Sequence, residues 1–167
     1  MIEILVFFAF PLAMAFAGSM DLFTMTIPNR ISLALIVAFV VAAPYCGLSL
    51  YAIGWHLGCG LLMLVIGILM FSRGWLGGGD AKLLAAASLW LGFEHLLGYI
   101  VLVAMAGGML ATTILLYRSM TLPVCLMGQN WASRLHDRAG GIPYGIALAA
   151  AALWIYPSTA WFKVLAA

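Results

Sequence analysis

Charge is what this sequence has least of. Only 7% of its 167 residues are Asp, Glu, Lys or Arg, where an ordinary soluble domain carries about 25%. Between Ile31 and Ser72 there is none at all. That scarcity excludes a soluble globular enzyme. The few basic residues are scattered singly between apolar runs, which excludes a nucleic-acid-binding patch. Cysteine is nearly as scarce. Cys46, Cys59 and Cys125 form no CxxC pair and share no ligand spacing with the three histidines. Neither a disulfide framework nor a zinc site is therefore expected, and the thiols read as small apolar packing groups. No Gly-Lys-Ser/Thr follows the one long glycine run, which rules out a Walker-type phosphate loop. No cofactor or metal is expected.

What fills the chain instead is hydrocarbon: 66% of the residues are hydrophobic and the mean hydropathy is +1.18. An all-α polytopic membrane protein with six transmembrane helices in one domain, residues 1–167, is expected. The first apolar run spans Ile4 to Met20. Its flank carries Glu3 and no Lys or Arg, unlike a signal peptide, so it reads as a first span. The uncharged stretch from Ile31 to Ser72 has room for two spans of about 20 residues each, divided around Pro44 to Leu50. A short fourth span from Ala81 to Phe93, with a re-entrant segment as the alternative, a tight turn at Glu94-His95 and a fifth span from His95 to Tyr117 follow. A polar connection from Arg118 to Arg138 leads to the sixth span, Ile142 to Tyr156, with Pro143 in its first turn.

The charges orient this arrangement. Arg30, Arg73, Lys82, Arg118, Arg134 and Arg138 fall in the first, third and fifth connections, and Lys163 in the tail, so six of the seven basic residues share one side. The positive-inside rule makes that side cytoplasmic and places both termini outside. Asp21 and Asp80, far apart in sequence, then reach the same face, each at the end of a span. Asp137 shares that face within a polar loop, while Glu3 and Glu94 lie opposite.

Two carboxylates brought together cannot both ionise cheaply, so the pair tends to share one proton. One member then serves as general base on water while the other polarises a carbonyl, which is aspartyl proteolysis. Gly77, Gly78 and Gly79, directly before Asp80, let an extended peptide approach it closely. The plainer alternative stays open: Asp80 as a helix N-cap and Asp21 as a solvated boundary residue. His56, inside an apolar helix, reads as a packing residue rather than a ligand.

Three segments resemble the type IV prepilin peptidases. Asp21-Leu22-Phe23-Thr24-Met25-Thr26-Ile27-Pro28-Asn29-Arg30 resembles their first motif, an Asp followed six and seven residues later by Ile-Pro. Gly77-Gly78-Gly79-Asp80 matches the second, GxGD, and Ile142-Pro143-Tyr144-Gly145 resembles the Pro-Tyr-Gly opening of the last helix. The short length and Asn29 after Pro28 look most like the branch serving Flp/Tad pili. The resemblance implies a six-helix aspartyl endopeptidase of the inner membrane. It would cut the leader peptide from a prepilin, itself a transmembrane helix in the same bilayer, on the cytoplasmic side. Asp21 and Asp80 match the family's catalytic pair. Pro143 and Tyr144 are candidates for closing the cleft shaped by the glycines, and charge placement makes Arg73, Lys82 or Arg30 candidate receptors for an acidic substrate residue. The tetracysteine zinc-binding segment of the long members is missing here, which argues against their N-methyltransferase activity. The rival from a different class is a non-enzymatic transporter or pilus assembly factor in which the acids bind an ion or proton.

Overall fold

The computed structural model describes residues 2–121, 128–138, 140–159 and 161–162; Cys125 and Lys163 lie outside them. Among the described residues every regular element is helical. They are α1 (Ile2–Thr24), α2 (Asn29–Tyr45), α3 (Leu50–Ser72), α4 (Gly78–Ser119), the short α5 (Asn130–His136) and α6 (Tyr144–Ile155), which ends in a single 3-10 turn, Tyr156–Ser158. Three of these are long and apolar enough to cross a membrane: α1 over Phe7–Thr24, α3 and α4. The shorter α2 and α6 are apolar as well. The expected break around Pro44 to Leu50 appears as the turn between α2 and α3.

The largest departure from expectation is in α4. The turn expected at Glu94-His95 occurs instead at Gly92, where one residue leaves the helix with φ 69° and ψ 175°. Only glycine takes that conformation without steric cost. The chain doubles back there. In a straight helix Asp80 and Arg118 would stand about 57 Å apart, yet both line one cavity. The half before the break, residues 78–91, rises only about 21 Å, short of the roughly 30 Å hydrocarbon thickness. Its composition explains where it sits. Leu83, Leu84, the alanines Ala85 to Ala87, Ser88, Leu89, Trp90 and Leu91 are all buried, so this half is the centre of the bundle with α2, α3 and α6 around it.

Small residues make the close packing possible. A Cβ on Gly60 would lie 3.0 Å from the Leu89 Cβ, and one on Gly67 would lie 3.0 Å from the Ala81 Cβ. These two glycines, seven residues apart on α3, let its backbone rest on α4, the usual means of helix association where lipid offers no hydrophobic drive.

A helix that stops at Gly92 inside the bundle leaves carbonyls without intrahelical partners. His56 Nδ1 donates to the Leu89 carbonyl at 2.8 Å, and Trp161 Nε1 donates to the Trp90 carbonyl at 2.7 Å. Trp90 Nε1 in turn donates to the Leu35 carbonyl at 2.9 Å. His56 is thus a packing residue, as expected: a Cβ at position 92 would meet its ring at 2.8 Å. Cys59 is buried and Cys46 half-buried against the same core.

Candidate functional site

The site gathers at the opposite end of residues 78–91, where α1 ends and α4 and α6 begin. Asp21 lies within the last turn of α1 rather than in the connection after it, because the helix continues to Thr24. It is 4% exposed. Its Oδ2 accepts a hydrogen bond from the Gly145 backbone N–H at 2.7 Å. Gly145 is the second residue of α6, so Asp21 satisfies one of the orphan donors of that helix and sits in the favourable field of its N-terminus. Only glycine fits there: a Cβ at position 145 would lie 2.7 Å from Ile27 Cδ1 and 2.8 Å from Asp21 Oδ2.

Asp80 occupies the third position of α4, and the N-cap is Gly77 without a side-chain cap bond. Its carboxylate interacts with the backbone N–H groups of Gly77 and Gly145, so a capping contact with the first residue of the turn is kept beside its place between the helices. Asp80 is 9% exposed, and its buried Oδ1 has no hydrogen-bond partner in the protein. A buried carboxylate oxygen left unpaired is costly and calls for an explanation other than packing.

Two cavities hold both acids. One of about 540 Å³ is lined by Asp21, Asp80, Gly77, Pro143, Tyr144 and Arg118, with Met25, Trp75 and the 140–142 segment completing it. The second, of about 300 Å³, is lined by Asp21, Asp80, Gly77 to Gly79 and the Met25 to Ile27 segment. Ile27 lines the second of them. A Cβ on Gly79 would lie 3.1 Å from the Ile27 Cβ and 3.2 Å from its carbonyl oxygen, so α4 begins directly against Ile27, which also touches Gly145. Ile27 is thereby wedged between the start of α4, which carries Asp80, and the start of α6, whose Gly145 N–H binds Asp21.

The basic candidates fall elsewhere. Arg73 lines neither cavity; its guanidinium lies over the Trp75 ring, 5.7 Å from the centroid. Lys82 points away from Asp80 around α4, donates to Asn29 Oδ1 at 2.8 Å, and lines a different groove that it shares with Arg30. The cation in the acid-lined cavity is Arg118, which the charge pattern alone assigns to a polar connection. It is 7% exposed, with Nε donating to the Leu135 carbonyl and an Nη to that of Gly141, both at 2.8 Å. It pins the segment that runs into Pro143 and Gly145. Pro143 is the residue before α6 rather than one in its first turn. Met25 is a further residue without a sequence signal: its φ of 55° is the left-handed conformation usual for glycine just past a helix end.

A buried pair of acids in an apolar helical bundle defines a membrane protein with an acid-lined internal site. The particular family follows from comparison: the family model described as the type IV leader peptidase family matches residues 8–112. The chain belongs to that family, a family of peptidases. Both acids and the glycine run lie within the matched stretch, while Pro143 and Tyr144 lie beyond it. Comparison with curated proteins and with solved structures found no match.

Proposed function

We propose that the chain is a membrane aspartyl endopeptidase that removes the leader peptide of type IV prepilins of the Flp/Tad kind, on the cytoplasmic side of the bacterial inner membrane. The observation that carries this reading is the meeting of Asp21 and Asp80 in one cleft of a chain from a peptidase family. The bundle is read as six spans, with the site at the boundary where Arg30, Arg73, Lys82, Arg118 and Arg134 cluster.

In the proposed reaction the two carboxyls share one proton. The ionised member takes a proton from a water whose oxygen adds to the scissile carbonyl carbon, and the protonated member gives its proton to the carbonyl oxygen. Collapse breaks the C–N bond as a proton passes to the leaving amine. The Gly145 N–H orients Asp21, and the glycines before Asp80 leave room for an extended peptide beside it. Pro143 and Tyr144 wall the cleft on the α6 side.

The test is cleavage of a co-expressed prepilin, followed as a mobility shift, with wild type, Asp21→Asn and Asp80→Asn at matched membrane levels. Cleavage by wild type alone supports the pair. Residual cutting by either variant overturns the catalytic assignment. A wild type that cuts no candidate pilin favours the transporter or assembly-factor reading.

A further inference from the structure

A second cavity system lies behind α4 from the acids. Helices α2 and α3 hardly touch each other; both lean on α4. Between them runs a groove of about 670 Å³. Its walls are apolar: Leu33 and Ile36 from α2, Leu57, Leu61 and Leu64 from α3, with Ala85, Ala86 and Leu89 of α4 as floor. One end is different. Asn29, Arg30 and Lys82 meet there, at the first turns of α2 and α4. Lys82 donates to the neutral Asn29 amide, and neither cation is bonded to a carboxylate among the described residues. Just inside this end lies Ser32, 5% exposed, whose buried Oγ has no partner in the protein.

We propose that this groove holds one anionic phospholipid, with its phosphate at Arg30 and Lys82 and an acyl chain along Leu33, Ile36 and Leu61. Three observations select this occupant. The groove begins at the membrane boundary with paired positive charge and continues into the bundle as hydrocarbon wall, which is the polarity of a lipid molecule end to end. From Asn29 to Ile36 the wall rises about 10 Å, enough for a stretch of acyl chain alongside a head at the boundary. Last, Asp80 and Lys82 are two residues apart on a helix and so point about 200° apart, which turns the groove away from the acid-lined cleft and from any peptide lying in it. Juxtamembrane cations attract anionic lipid, each contributing a fewfold in affinity. A bound head would also brace the Asn29–Lys82 contact.

The experiment is native mass spectrometry of the full chain released from mixed micelles containing dioleoyl phosphatidylglycerol and dioleoyl phosphatidylcholine in equal amounts. It reads lipid retention and does not depend on peptidase activity. One phosphatidylglycerol should stay bound under activation that strips phosphatidylcholine. The double variant Arg30→Gln/Lys82→Gln should weaken that retention roughly 25-fold, about fivefold for each charge removed. Leu61→Trp keeps both charges and fills the groove from a position that is 63% exposed; it should also lose the lipid. Glycerol 3-phosphate, a head without chains, should not compete. Equal retention of both lipids, or unchanged retention in either variant, would overturn the proposal. So would full competition by glycerol 3-phosphate, which would show a phosphate site only. A pilin helix cross-linking to a cysteine placed at position 61 would give the groove to the substrate instead.

Discussion

The two ends of residues 78–91 face the same physical problem and resolve it differently. At Gly92 a helix stops inside apolar surroundings, and the carbonyls it releases are taken up by the side chains of His56 and Trp161. At Gly77 the helix starts inside the protein, and one oxygen of the Asp80 carboxylate, Oδ1, is buried without a partner in the protein. One end is closed by rings: Trp90 packs on Trp161 with centroids 5.0 Å apart and on Phe10 at 5.4 Å. The other is lined by glycines and encloses cavities. At one end the freed polar groups are satisfied by side chains, and at the other a buried carboxylate oxygen finds no partner in the protein.

The largest effect on breaking this contrast belongs to the open end. Asp21→Asn and Asp80→Asn should each lower prepilin cleavage by a factor of at least about 1000, and the double variant should be no worse than either single one, since the two act as a unit. The mobility-shift assay reads both points; a double variant markedly slower than the singles would break the pair. Next comes Gly145→Ala. The added Cβ displaces Asp21 or Ile27, and a shift of about 1 Å in a reacting group costs on the order of 100-fold in rate. Cleavage should fall by that order while the purified protein keeps nearly its parental melting temperature. A variant that unfolds outright would make Gly145 part of the closed, stabilising side of the comparison.

Changes at the closed end should do the reverse. Trp161→Phe keeps the ring contacts but removes the donor to the Trp90 carbonyl, and should cost about 1 kcal/mol, seen as a lower melting temperature in detergent. The cleavage rate at permissive temperature should stay within about twofold of wild type, on the same differential reasoning. The smallest effect is expected at Met25→Gly. Relief of a left-handed residue is worth about 1–2 kcal/mol, partly offset by the greater freedom of glycine in the unfolded chain. Melting should therefore rise slightly or stay level; a clear fall would mean that the Met25 side chain supports the cavity it lines.

Much of this was legible beforehand. Hydropathy and charge spacing located the helices to within a few residues, since a polar residue in lipid has to be accounted for. The glycine run and the positions of the basic residues brought Asp21 and Asp80 to a common face. Other features carried no local signal. The polar pair Glu94-His95 is the only local turn signal there, and Gly92 is the reversal point for reasons no local pattern carries: a backbone angle and the His56 ring opposite. Arg118 looked like a solvated loop residue, and its burial depends on two carbonyls far along the chain. Lys82 looked like a neighbour of Asp80, yet helical geometry turned it into another groove.

The amino-acid sequence by itself determined that the chain is helical, belongs to the membrane and holds a few costly acids, because composition and periodicity are properties of each segment alone. Only the tertiary structure decided that the Gly145 N–H binds Asp21, that Ile27 packs between the starts of α4 and α6 and that Arg118 rather than Arg73 or Lys82 stands in the acid-lined cleft. Those relations join residues up to 124 positions apart, and they come into being only when helices pack closely enough for one backbone to touch another.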